Sequence, residues 1–159
     1  MNQEIFIGNR QRTAKVNTRA LRLLVQSALA QLPVKPSCDL AFSLVADAEM
    51  ARINEKYMRH HGSTDVITLD YAFDAAEPRS PCGEVFICID VALAQARRYS
   101  TTWQKELARY VVHSLLHLSG YDDLRVASRR KMKREENRVL RVLARQLDFS
   151  TLGTQLRAG

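Results

Sequence analysis

The residues in this chain best suited to chemistry lie in one stretch, HSLLHLSGYDD, from His113 to Asp123. Histidines four positions apart project from the same side of an α-helix and can share one divalent ion. Two ligands make a weak site, so the helix must stop soon afterwards for a third donor to swing back. Gly120 supplies the stop, because glycine most readily takes the positive-φ conformation that ends a helix. Asp123 then falls where a carboxylate oxygen can return. Zinc accepts two histidines and one carboxylate and leaves a fourth position for water, and such water becomes a nucleophile near neutral pH. The same spacing also fits two hydrogen-bonded core histidines followed by a turn, and spacing alone does not separate the two. A metzincin-like HExxHxxGxxH peptidase has this ligand spacing but needs a glutamate beside its first histidine. That position is Ser114, whose hydroxyl is no base at neutral pH, so a metallopeptidase is disfavoured.

A helix must aim these side chains. On a helical wheel from Trp103 to Leu118, residues Trp103, Leu107, Ala108, Val111, Val112, Leu115, Leu116 and Leu118 cover well over half the circumference. A helix this apolar belongs at the centre of a core. The remaining gap holds Glu106, Arg109, Tyr110, His113 and His117. Glu106 lies two turns before His113 on nearly the same face, placed to orient a ligand from behind or to pair with Arg109.

Around that helix the pattern alternates strands and helices. EIFIGN reads as a strand, and Asn17 caps a helix through TRALRLLVQSALAQL. Pro33 and Pro36 break the chain. CDLAFSLV is a strand, Asp47 opens a helix, and RHHGST turns into DVITLDYAF. GEVFICID is the next strand, Asp90 caps VALAQARRYS, and Thr101 or Thr102 opens the histidine helix. A final helix runs from about Val126 to Leu147. This order predicts an α+β single domain, a small mixed four-stranded sheet packed with helices around the central histidine helix. The domain is expected over residues 1–150, with 151–159 as a loose tail.

The chain has 159 residues, one ordinary domain in size, and a net charge of +7. Between Arg125 and Arg145 nine basic residues face only Glu135 and Glu136, an excess equal to that whole charge. Such a stripe suits a solvated helix face or a surface that follows phosphates, with Arg129, Arg130, Lys133 and Arg134 as the candidate contacts to a nucleic-acid backbone. Cys38, Cys82 and Cys88 form no CxxC pair and leave an odd thiol, which favours a reducing compartment. No run is apolar enough to span a membrane, and MNQEIFIGNRQR lacks the pattern of a secretory signal. A cytoplasmic location is expected. Tyr71, Phe73 and Tyr110 could stack on bases, although aromatic side chains at such positions more often fill cores.

HSLLHLSGYDD resembles the HGxLHLxGYDH motif of the bacterial YbeY endoribonucleases. Ile53, Asn54 and Tyr57, followed by the run Thr64 to Thr68, are similar to that family's LNxxYR…TDVLSF segment. Gly83 to Ile87 resembles its GDIxI strand, Glu106-Leu107 its EL, and Met132 with Glu135 and Glu136 its MFxxQE. The resemblance implies a metal-dependent endoribonuclease with one zinc per chain, acting on single-stranded RNA. It further implies rRNA and the ribosome as partners, in 3′-end processing of small-subunit rRNA and in ribosome quality control. His113 and His117 match the first two metal ligands, and Asp123 matches the third, usually a histidine in the family. The family's functional arginine aligns with Met58. Arg59 follows it, about 100° round a helix, as a substitute candidate, and Asp65 falls near the expected cleft. A rival expectation is a ribosome-associated RNA-binding module in which the metal is structural.

Overall fold

The computed structural model describes residues 3–33, 38–72 and 79–155. The expected break at Pro36, and Phe73, lie outside them. Local chemistry sets most of the boundaries. Helix α1 (Thr18–Leu29) begins at Asn17, whose side chain accepts the Ala20 N–H at 3.1 Å, and it buries Leu21, Leu24, Val25, Ala28 and Leu29 at helical spacing. Helix α4 (Trp103–Leu118) begins at Thr102, which accepts the Lys105 N–H at 3.2 Å. Two expected caps are displaced. Asp47 is the first residue of α2 (Asp47–Ile53), and Asp90 sits inside α3 (Ile89–Arg98), which starts from Cys88. The Asp90 carboxylate instead accepts the Thr13 hydroxyl at 2.7 Å and the Asp47 N–H at 2.8 Å, joining three segments distant in sequence.

The main sheet has four strands in the order β1 (Ile5–Asn9), β3 (Leu40–Val45), β5 (Gly83–Cys88), β4 (Val66–Asp70). The first three are parallel and β4 is antiparallel to β5, so the sheet is mixed, as expected. Leu40, Phe42, Leu44, Val85 and Ile87 join one core with α1, α3 and α4. Val45, Phe86 and Cys88 meet Met50 and Ile53 of α2 on the other side. The middle of the sheet is thus covered on both faces, which fits its nearly continuous apolar strands.

Helix α4 is the hub. It packs against α1, α3, β4, β5 and the last helix, α5 (Val126–Gln146). Its apolar arc is buried as the wheel requires, while His113 and His117 stay half-exposed beside the β4 edge.

The C-terminal segment corrects an expectation. Residues 151–155 do not form a loose tail: a 3-10 turn (Phe149–Leu152) leads into β6 (Gly153–Gln155), which pairs antiparallel with β2 (Ala14–Val16). Leu152 is buried, the Asn17 N–H donates to its carbonyl, and the Gln104 amide donates to the carbonyl of Gly153. A Cβ at Gly153 would lie 2.1 Å from the Lys15 carbonyl oxygen, so only glycine allows this approach. Three-residue strands carry too little alternation to be seen in a sequence.

Candidate metal centre and adjoining cavities

The last turn of α4 and the loop after it build the centre. The helix ends at Ser119, Gly120 takes φ 105°, and the Tyr121 N–H returns to the Leu116 carbonyl. This reversal brings Asp123 back beneath the histidines. The Nε2 atoms of His113 and His117 stand 3.1 Å apart, and Asp123 Oδ2 is 3.6 Å from that of His117. One ligand atom from each of the three lies within 4.8 Å of the others. Two nitrogens bound at about 2.0–2.1 Å to a tetrahedral ion are separated by about 3.3–3.4 Å, so the observed spacing fits such an ion.

Protonation supports the fit. Burial pushes the His117 pKa down and neighbouring His113 lowers it further, against the pull of Asp123 and the Tyr121 main chain. A neutral imidazole is the form that ligates. His113 is held from behind by Glu136 of α5, whose Oε2 lies 2.9 Å from Nδ1. Burial alone would raise the Glu136 carboxyl. Hydrogen bonds from His113 and Arg109 and the charge of Lys133 outweigh burial and hold it at about 2. An ionised carboxylate only accepts, so Nδ1 donates in this bond and Nε2 is left turned toward Asp123 and His117. Orientation of a ligating histidine by an outer carboxylate is a recurring part of metal sites.

Glu136 takes the place expected for Glu106. It is 3% exposed and accepts from Arg109 at 2.6 Å, with Lys133 at 3.3 Å. Arg109 therefore pairs across to α5 and not along its own helix to Glu106. A signal for Glu136 was present: it shares the buried face of α5 with Met132, Val139 and Leu143, and an acid among core positions needs partners. Ser114 is wholly buried and donates to the Val111 carbonyl at 2.8 Å, which leaves it no part in proton transfer.

Two cavities meet at the centre. The larger, about 620 Å³, is lined by His113, His117 and Asp123 and by Asn54, Met58, His60 and Asp65 among others. The smaller, about 260 Å³, opens toward α5 and shares Asp65, Val66, His113 and Asp123 with it. Asp65 stands at the junction. Its Oδ1 accepts the Val66 N–H at 2.7 Å and the Thr64 hydroxyl at 3.3 Å.

Helix α2 continues into a π-helical turn (Asn54–Met58) that closes at Arg59 with φ 56°, where the run must end. Met58 and His60 line the larger cavity, but Arg59 lines neither. Of the four cations expected to follow RNA, Arg129 and Lys133 line the smaller cavity. Arg130 and Arg134 are exposed and line neither. Tyr110 is buried, whereas Tyr71 is half-exposed and donates to Glu84 at 2.7 Å.

Fold and site define an α+β domain whose central helix and following loop bring together a histidine–histidine–aspartate group that could hold one metal ion. Residues 6–144 match the family model described as Endoribonuclease YbeY, and the chain belongs to the YbeY family. Relatives named Endoribonuclease YbeY include that of Frankia alni, 32% identical over 145 residues, covering 86% of this chain and 80% of the relative. That of Parabacteroides distasonis is 32% identical, with 73% and 79% covered. That of Alkaliphilus metalliredigens is 27% identical, with 88% and 95% covered. The solution structure of TM1509 from Thermotoga maritima has the same fold, with a TM-score of 0.63 and 21% identity over 89% of this chain and 91% of that one. Among the described residues no helix is long and apolar enough to cross a membrane.

Proposed function

We propose that this chain is a zinc-dependent endoribonuclease that cleaves single-stranded RNA in the cytoplasm. It acts on ribosome-associated rRNA, in 3′-end processing of the small-subunit rRNA and in ribosome quality control. The observation that carries this reading is the convergence of His113, His117 and Asp123, with ligand atoms within 4.8 Å, in a cleft of about 620 Å³. The relatives' name supports the reaction class, and the chain's +7 charge suits a polyanionic substrate.

His113, His117 and Asp123 would hold one zinc, which when bound would supply Lewis acidity for hydrolysis. The chain's own groups do the rest. Glu136 keeps the proton on His113 Nδ1, and Arg109 and Lys133 keep Glu136 ionised. Asp123 adds a negative charge that a histidine would not, which makes the centre more welcoming to harder ions such as manganese. Asp65, whose hydrogen bonds with Val66 and Thr64 both fall on Oδ1, would take the attacking water's proton at Oδ2 as the new P–O bond forms and the P–O bond to the leaving ribose oxygen breaks, that oxygen taking its proton from solvent. Arg129 and Lys133 hold the RNA backbone alongside.

The test is cleavage of a single-stranded oligoribonucleotide before and after chelation. Loss of cleavage with RNA binding retained supports the enzyme. Unchanged cleavage without metal contradicts it. Binding with no cleavage at any metal loading favours the RNA-binding module.

A further inference from the structure

Four cations in the first half of α5 fall into two sets. Arg129 and Lys133 are one turn apart and line the smaller cavity, whose walls include the candidate ligands His113 and Asp123. Arg130 and Arg134 are each rotated by about 100° from them and line neither cavity. Charges inside the smaller cavity are unevenly matched. Glu136 is shared by His113, Arg109 and Lys133. Asp123 is engaged with His117. Arg129 has no ion pair among the described residues, so it leaves a guanidinium unneutralised at the mouth of a cavity that adjoins the metal centre.

A phosphate diester matches that vacancy in charge and geometry. A guanidinium presents a planar fork to two phosphoryl oxygens, and an ammonium adds a movable point charge. The floor carboxylate, Glu136, is already paired, and the other two carboxylates of the lining stand away from Arg129 in function: Asp123 is turned toward His117 and the candidate metal centre, and Asp65 is at the junction of the two cavities.

We propose that the smaller cavity is a subsite for the RNA phosphate next to the scissile one, held by Arg129 and Lys133. This rests on the nuclease reading and adds to it. The backbone is gripped at one built position beside the metal centre, which fixes the strand's register, and not by the basic stripe as a whole.

The experiment compares Arg129→Ala and Lys133→Gln with Arg130→Ala and Arg134→Ala on the same helix. Each zinc-loaded protein is measured for binding and cleavage of one short single-stranded oligoribonucleotide across a range of salt. For Arg129→Ala, Kd and KM rise about tenfold, as expected for one lost charge-assisted contact, with the loss falling on KM and little on kcat. The slope of log affinity against log salt becomes shallower by about 0.7, the value for one phosphate contact on a single strand. Lys133→Gln follows in the same direction, and the Arg130 and Arg134 variants keep the parent values. Equal effects at 129 and 130 would overturn the subsite and leave a diffuse basic face, while cleavage by the parent protein would leave the nuclease reading standing. Binding that depends on Arg129 in a protein that never cleaves would support the subsite and remove the nuclease reading.

Discussion

Among the described residues, two clusters bring three possible metal ligands within 4.8 Å of one another: His113, His117 and Asp123 in one, Asp47, Cys88 and Asp90 in the other. They differ in what their lone pairs already do. In the second cluster the Cys88 thiol donates to Asp47 Oδ1 at 3.3 Å, and Asp90 accepts from the Thr13 hydroxyl and the Asp47 N–H. Burial pushes that thiol up to about 11, so it keeps its proton at neutral pH. In the first cluster the outward nitrogens face one another at 3.1 Å, and the Nδ1 hydrogen bond of His113 points backward to Glu136. Proximity is common to both. What separates a metal centre from a structural knot is whether the surrounding hydrogen bonds turn the donors toward one point or use them up.

The contrast can be broken most severely at the histidines. His113→Ala or His117→Ala should abolish stoichiometric zinc binding and lower RNA cleavage by about a thousandfold or more. Asp47→Asn should leave metal content unchanged, as read by elemental analysis of both purified proteins. A comparable metal loss at Asp47 would erase the distinction.

Asp123→Ala should come next, with metal content well below one per chain, because a third ligand rather than its support is removed. Asp123→His should restore it. Full zinc retention by the alanine variant would mean that the carboxylate is only a neighbour.

Glu136→Gln probes the same cluster from behind. Zinc affinity should fall by about 10- to 100-fold, the usual cost of losing an outer-sphere partner. The variant also has a signature in the metal-free protein. The Glu136 pKa is depressed from 4.5 to about 2, so its contribution to stability is complete above about pH 4.5 and lost as pH falls toward 2. That contribution is on the order of 3 kcal/mol. Acid unfolding of the parent should therefore steepen in this window, and the glutamine variant should be flatter there. Identical profiles would show that Glu136 is not held as an anion.

The smallest effect is expected at Arg59, where alanine should change cleavage by no more than about twofold, since Met58 and His60 line the cleft and Arg59 does not. A large loss would mean that the turn after the π-helical segment rearranges when RNA binds.

The sequence carried His113, His117 and Asp123 because helical spacing, a stop at Gly120 and a returning carboxylate are all local signals. The mixed four-stranded sheet was legible from its apolar runs, strongest in β3 and β5, whereas the order of strands within it was not. Glu136 was harder to see: it reaches the centre from another helix, 23 residues after His113, and no local spacing links them. Arg59, offered only as a substitute for the position aligned with Met58, closes the π-helical turn with a positive φ and lines neither cavity, an outcome no residue count along an ordinary helix would give. The pairing of β2 with β6 joins opposite ends of the chain through three residues each, too short for any periodicity.

The most direct test of the central claim is the metal content of the parent protein purified without chelator and without added metal. About one zinc per folded chain, lost together with His113 or His117 and kept when Asp47 is changed, is the predicted result. A folded protein that carries no metal and takes up none when zinc is supplied would contradict it.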